Sequence, residues 1–492
     1  MEISAGDLRF VWPSIACFAF GMLVLLGEVV MGRRSAAVST GVTAFGLLFA
    51  LGVNLMIGPE AAEPRVALGG MVAFDTFGVV MNCTVFLAAL GSLLVGHDYL
   101  RRIDVAVPEY NALILFAASG MSLLSVSNDL MMLFVALELM SIALYVLCAI
   151  NRGELRSVEA AAKYFILGAF AAALLLYGIA FVYGAVGTTR LDFVRDWLVD
   201  GHRVADSGLL SVGLALLVVG FGFKVAAAPF HMWSPDVYQG APTPVTSLMA
   251  TGVKAASFAA FARVMFVAFL PAQHDWAMAI WGISALTILW GNIGALVQRD
   301  LKRMLAYSSI GHAGYLLMPF VGASGESLLA TPRVGGLLFY LISYTVMTVG
   351  AFAVLSLMTR DGADDTDVDQ LNGLASRHPM LAAGLALCLL SLAGVPPTMG
   401  FVGKFYLFAA AVEGGHVGLA VVGAIGGAIG VYYYLRPIVH MYMRPTGDAR
   451  APSLNMPALG ALALSAVAIL AFGLMPGPLV DWCRDALRTL AG

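Results

Sequence analysis

The chain has 492 residues, 60% of them hydrophobic and only 12% charged, with a net charge of -3 at neutral pH. A soluble globular protein carries roughly 25% charged residues, so there is too little polar surface here to coat water-soluble domains, and a mean hydropathy of +0.88 points to a polytopic membrane protein. Five cysteines in such a length exclude a disulfide scaffold, and the slight negative charge offers no basic footprint for nucleic acid.

A membrane-spanning helix needs about 20 mostly apolar residues. Candidates fall at 10–31, 36–57, 71–96, 109–127, 130–150, 157–184, 207–229, 243–269, 276–298, 303–322, 335–358, 379–411, 417–442 and 455–479. The fold class expected is therefore all-α, with about fourteen spans. Two spans read as discontinuous. The seventh runs into Ala226–Pro235 and the twelfth contains Leu392–Phe401 with its Pro396–Pro397 pair. Proline removes a backbone donor, and a broken helix survives in a membrane only where protein or water satisfies the freed groups. The segment Leu191–Arg203 carries apolar residues at three-to-four spacing and reads as an amphipathic helix at the interface. Asp361–Gln370 reads as a solvated acidic turn.

Loop charges set the expected orientation. Fourteen Arg and Lys residues fall on one side, among them Arg33, Arg34, Arg101, Arg102, Arg299, Lys302 and Arg303. Nine fall on the other, among them Arg65, Arg190, Arg195 and Arg263. The positive-inside rule makes the first side cytoplasmic and places both termini outside. The acidic start, MEISAGD, lacks the basic region of a cleaved signal peptide.

Only five lysines occur, against 22 arginines, and four of the five sit inside apolar runs. Glu138, Lys224, Lys254 and Lys404 lie deepest. A charge at mid-bilayer costs about 2.5–3.5 kcal/mol even on the lenient scale. These groups must therefore face one another, water or a buried polar axis. Deep ionisable side chains mark proton or ion pathways, and a Lys beside a movable carboxylate can change its protonation state as the pair parts. Lys163, about six residues into its span, can equally reach back to the interface. His231, in the seventh-span break, and His312, in Tyr307–Leu317, are relay candidates because imidazole titrates near working pH. Tyr307, Ser308, Ser309 and Tyr315 supply hydroxyls between the charges. No nucleotide fingerprint, P-loop or Cys cluster is present in the sequence, so neither a cofactor nor a metal site is expected on this chain.

Four stretches resemble one family: Phe221–Phe258, which contains PDVYQGAPTPVT, together with Asn128–Leu147, Leu301–Leu317 and Leu392–Phe408. They are similar to subunit N of NADH-quinone oxidoreductase, an antiporter-like membrane subunit of respiratory complex I. The wider superfamily holds the sibling subunits M and L and the Mrp-type antiporter subunits. The likeness covers nearly the whole chain, with the first 70 residues least distinctive. PDVYQGAPTPVT and a lysine at position 404 favour the N type.

The resemblance implies a three-helix segment over 1–108, two inverted five-helix repeats over 109–269 and 270–442, and a last span within 443–492. It implies Glu138 and Lys224 as a paired switch, Lys254 as central relay and Lys404 as exit-side group, with His231 and His312 as further positions; Lys163 remains a candidate from its place in the span alone. It implies proton translocation driven by electron transfer elsewhere, with NADH, FMN, iron–sulfur clusters and quinone on partner subunits. The expected partners are sibling antiporter-like subunits, other membrane-arm subunits and lipid, in a bacterial inner membrane, and not further copies of this chain. Two other readings stay open: a stand-alone Mrp-type secondary antiporter, and a structural membrane subunit with an inert polar axis.

Overall fold

The computed structural model describes residues 5–31, 35–322, 335–359, 364–446 and 451–490. The expected loop charges Arg33 and Arg34, the first four residues of the N-terminus and the first three of the Asp361–Gln370 turn lie outside them.

The described chain is almost entirely helical. It opens with α1 (Trp12–Met31), α2 (Ser35–Ile57), α3 (Thr76–Gly96), the short α4 (Tyr99–Arg102), α5 (Val107–Val126), α6 (Leu130–Cys148) and α7 (Leu155–Val186). The amphipathic α8 (Leu191–Val199) follows, then α9 (Gly208–Lys224), α10 (Ser234–Gly240), α11 (Thr243–Leu248) and α12 (Lys254–Arg263). The second half holds α13 (Gln273–Leu296), α14 (Leu301–Gly322), α15 (Gly335–Leu357), the short α16 (Leu374–Arg377), α17 (Pro379–Ala393), α18 (Met399–Glu413), α19 (Val417–Met443), α20 (Met456–Leu474) and α21 (Gly477–Leu490).

Eleven helical stretches among the described residues are long and apolar enough to cross a membrane. The other three expected spans differ for physical reasons. The seventh and twelfth are split, leaving α9 and α17 short. In the tenth, α14 carries Lys302, Arg303, Ser308, Ser309 and His312, which dilute its apolar character.

Burial orders the bundle. Thr243–Ala268 is buried along its whole length, and Thr76–Arg102 and Gly335–Leu357 nearly so, whereas Ala37–Ala62 and Met456–Leu474 turn most residues outward. The outward faces are apolar, as Phe165, Ile166 and Phe170 on α7 illustrate. A chain surrounded by hydrocarbon or by other membrane proteins satisfies its backbone internally and leaves such faces uncovered.

Three features depart from the expected outline. Residues Arg65–Ala67 and Val72–Phe74 form a two-stranded antiparallel hairpin, β1–β2, where the third span was expected to be starting. Asn128 holds its turn by donating to the Gly70 carbonyl at 3.1 Å. At the C-terminus, α20 is followed by a separate amphipathic helix, α21, which packs against α3 and α15; Thr489 Oγ1 accepts from the Phe77 N–H at 3.3 Å. Finally, two residues assigned to solvent-facing loops are buried. Arg263 pairs with Asp75, and Lys302 pairs with Asp364 at 2.8 Å while donating to the Ala241 carbonyl at 2.6 Å.

Asp364 also accepts from Tyr99, Thr243 and Thr359, tying together α4, α11, α14 and the loop after α15. Burial alone would raise its carboxyl; the Lys302 ammonium and the hydrogen bonds from Lys302, Thr359 and Thr243 outweigh that and hold it below its ordinary value. The knot's contribution to stability is therefore complete above the ordinary carboxylate range and fades as pH falls through the lowered value.

Small residues let helices approach where this bundle is tightest. A Cβ on Gly291 of α13 would strike the backbone of Gly311 on α14, and one on Gly314 would lie 2.7 Å from the Ile288 nitrogen. Gly282, on the same α13, faces open space. Gly291→Val is expected to lower stability by about 1–3 kcal/mol, the usual penalty for overpacking, while Gly282→Ala is expected not to lower it and to raise it by up to about 1 kcal/mol. Thermal unfolding of the detergent-purified protein checks both.

Candidate functional site

Each deep lysine reaches oxygen atoms that its local backbone or a neighbouring helix presents. Lys224 ends α9, and its Nζ donates to Ser141 Oγ on α6 at 2.8 Å. Tyr145, Tyr164 and Phe223 surround the ammonium, each ring centroid 5.9 Å away. The chain then breaks over Val225–Trp233, and the freed backbone groups find partners: the Ala228 N–H donates to Thr287 Oγ1 at 2.9 Å, and Trp233 Nε1 donates to the Phe223 carbonyl at 3.0 Å.

Glu138 lies on α6 three residues before Ser141 and is half-buried. Its Oε1 is buried with no hydrogen-bond partner among the described residues. The expected direct Glu138–Lys224 ion pair is not formed; Ser141 holds the ammonium instead, and Glu138 stays within Coulombic range of it. Ser141 was legible in principle, since a hydroxyl three positions from a deep carboxylate shares its helix face.

Lys254, at the start of α12, donates to both the carbonyl and the Oγ of Ser309 on α14, each at 2.5 Å. The adjacent Ser308 Oγ is hydrogen-bonded to the Tyr434 hydroxyl. That hydroxyl lies 2.9 Å from His312 Nε2, and His312 Nδ1 lies 2.6 Å from the Tyr340 hydroxyl. Hydrogen bonds thus join Ser308, Tyr434, His312 and Tyr340, and the Lys254–Ser309 pair adjoins them at the next position of α14, all buried. The rings of Tyr344 and Tyr315 flank His312 with centroids 5.0 and 6.0 Å away.

Lys404 closes the series. Helix α17 ends at Gly394, which takes a left-handed φ of 88°. Glycine is required there twice over, because a Cβ would also meet Lys404 Cδ at 2.9 Å. The terminal carbonyls of Leu392 and Ala393 have no helical partner, and Lys404 Nζ donates to each at 2.9 Å. A cation at a helix C-terminus also meets the negative end of the helix dipole. The ring of Tyr315 lies 5.1 Å from the ammonium and so links it to the His312 cluster.

The remaining candidates stand apart. Lys163 is not on the buried run: its side chain is 42% exposed and pairs with Glu159 at 2.7 Å and Asp236 at 2.9 Å. Asp236 also binds Arg303 at 2.7 Å. His231 is buried, its Nδ1 without a partner among the described residues, and it lines a cavity of about 370 Å³ with Asp236, Trp290, Arg303 and Tyr307. Sequence reading did not single out Ser141, Tyr340, Tyr344, Tyr434, Asp75 or Arg263. Besides Ser141, the pair Tyr340 and Tyr344, four residues apart on one apolar helix, carried a periodic signal.

A family model described as NADH:quinone oxidoreductase/Mrp antiporter, TM, matches residues 127–430. Curated proteins named NADH-quinone oxidoreductase subunit N match along the whole length. The one from Trichlorobacter lovleyi is 41% identical over 486 residues, covering 98% of each chain. This chain belongs to the NADH-quinone oxidoreductase subunit N family. The protein of that name from Myxococcus xanthus is also 41% identical, covering 99% of this chain and 98% of its own. A chain from respiratory complex I of Thermus thermophilus superposes with a TM-score of 0.79 at 35% identity, covering 95% of this chain and 98% of that one. A chain of the Mrp complex from Dietzia sp. shares the fold, with a TM-score of 0.82 at 20% identity over 97% of both.

The Tyr434 hydroxyl joins Ser308 to His312, so Tyr434→Phe leaves two buried polar groups short of a partner. The variant is expected to lose about 1–3 kcal/mol, read from its unfolding midpoint beside Tyr432→Phe, whose ring is exposed.

Proposed function

We propose that this chain is the antiporter-like, proton-translocating membrane subunit N of an NADH:quinone oxidoreductase. Its redox chemistry takes place on partner subunits that hold NADH, FMN, iron–sulfur clusters and quinone. The observation that carries the reading is the buried polar cluster in which the Lys254–Ser309 pair adjoins the hydrogen-bonded Ser308, Tyr434 and His312, with Lys404 beside it across Tyr315. Groups that can give and take a proton stand at hydrogen-bond spacing in two adjoining sets, Lys254 with Ser309 and Ser308 with Tyr434, His312 and Tyr340, within a chain related to subunit N over nearly its full length. Among the described residues no group of three or more His, Cys, Asp or Glu is placed to hold a metal.

In this reading Glu138 and Lys224 form the switch, with Ser141 holding the ammonium. Lys254 and His312 relay, and Lys404 exchanges protons at the far end. His231 and its cavity offer a side chamber, and Lys163 acts from the interface through Asp236. Fourteen spans, with inverted repeats over 109–269 and 270–442, give the two broken helices equivalent places. Both termini face the periplasm of a bacterial inner membrane. The burial of Lys302 and Arg263 removes one residue from each side of the charge comparison and leaves its sign unchanged. Sibling antiporter-like subunits, other membrane-arm subunits and lipid cover the apolar outer faces.

Glu138→Ala is expected to assemble and to lower the proton-pumping rate by roughly tenfold or more, with Glu138→Asp milder, because proton-transferring groups contribute about 100- to 10,000-fold to the steps they serve. Wild-type pumping in assembled Glu138→Ala complex counts against the switch and favours an inert axis.

Lys404→Arg keeps the charge but cannot release a proton. It is expected to pump as poorly as Lys404→Ala when reconstituted complex is assayed for protons moved per electron. Full pumping with Arg reduces Lys404 to electrostatic support. A reporter active only in the cytoplasm, fused after Gly492, is expected to stay silent.

A further inference from the structure

The most buried span changes pitch twice around its lysine. Met249–Val253 is π-helical, Lys254–Arg263 is α-helical, and Val264–Ala268 is π-helical again. A π turn accommodates an extra residue and rotates everything beyond it. Helical continuity from either end therefore does not by itself fix the direction in which Lys254 points.

Side-chain ties fix it instead. Lys254 reaches Ser309 on α14. Arg263 is two and a half turns further on, about 13 Å along the axis, and so on the opposite face of the helix. It reaches the other way, toward α3 and α5. Its NH1 and NH2 meet the two Asp75 oxygens at 2.7 and 3.0 Å, and NH2 and Nε meet the Ser125 carbonyl at 3.1 and 3.3 Å. The Asp75 carboxylate in turn caps α3 by accepting from the Gly78 N–H at 2.7 Å. The Arg263 side chain is 1% exposed and that of Asp75 4%.

A buried ion pair is a poor source of net stability, since well-packed apolar residues often do as well, and its best-attested use is to fix register. We propose that the Asp75–Arg263 clamp is a positioning device for Lys254: it sets the rotation of the Lys254–Arg263 segment, and so holds the ammonium on Ser309. This inference rests on Lys254 being a proton relay, and the test separates the two.

The double variant Asp75→Leu/Arg263→Met removes the clamp without stranding a charge. In reconstituted complex I it is expected to assemble, to melt somewhat below wild type because α3 loses its Asp75 cap, and to pump more slowly by up to about 100-fold, the scale on which misplacement of a reacting group is felt. Arg263→Lys, with Asp75 intact, is expected to recover most of the pumping. A double variant that assembles and pumps like wild type overturns the proposal. If it does not assemble, Arg263→Gln complex is imaged at side-chain resolution: Lys254 displaced from Ser309 supports the proposal, and Lys254 still in place overturns it. Lys254→Ala is the control. Normal pumping in that variant sinks the relay reading, whereas lost pumping beside a normal double variant sinks the clamp alone.

Discussion

An ammonium or guanidinium group taken out of water must be given oxygen atoms, and the unusual local features of this chain are ways of supplying them. Ser141 serves Lys224, and both oxygens of Ser309 serve Lys254. The last carbonyls of α17 serve Lys404. Asp364 and the Ala241 carbonyl serve Lys302, and Asp75 with the Ser125 carbonyl serves Arg263. Each cation has found at least one oxygen, most of them two or more. A charge in a dry interior left without them would shed its proton or unfold its surroundings. The break in the twelfth span follows from the same demand, because the helix interrupted there leaves the Leu392 and Ala393 carbonyls free at membrane depth.

Where the oxygens come from also separates the lysines. Lys224 and Lys254 hold hydroxyls, which can both accept and donate, so a proton leaving either ammonium has a next partner. Lys404 holds carbonyls, which only accept. Its connection to the rest of the axis passes through the face of the Tyr315 ring and the space around the break. Hydrogen bonds run unbroken from Ser308 through Tyr434 and His312 to Tyr340, and the three lysines stand beside that run rather than in it, an arrangement suited to conduction in stages rather than to a standing wire.

The costly residues were legible in the sequence because cost is a property of residue type and surroundings. Glu138, Lys224, Lys254 and Lys404 stood out against apolar runs, and Pro396–Pro397 announced the break that presents carbonyls to Lys404. Direction was not legible. Hydropathy assigns depth but not which face of a helix a side chain leaves from. For that reason Glu138 was set against Lys224, whose ammonium Ser141 holds instead, and the choice left open for Lys163 between axis and interface falls to the outward pairing with Glu159 and Asp236. Arg263 was read as a loop charge for a related reason: its partner Asp75 is 188 positions away, beyond the reach of any local pattern. The β1–β2 hairpin and α21 were missed because each is short and lies beside a long apolar segment that absorbed it in a hydropathy reading. The family likeness supplied roles for residues; the geometry changed several of their partners.

That Lys404 is held by main-chain oxygens has a practical consequence for mapping this axis. A carbonyl belongs to every residue type, so replacing Leu392 or Ala393 by any other amino acid leaves the acceptors in place. Side-chain scanning will register Lys404 and the residues that shape the bend, chiefly Gly394, and will pass over the atoms that hold the charge. Replacing the backbone amide by an ester at the positions that follow would weaken those carbonyls as acceptors without altering either side chain, and so expose a contact that conventional mutagenesis cannot reach.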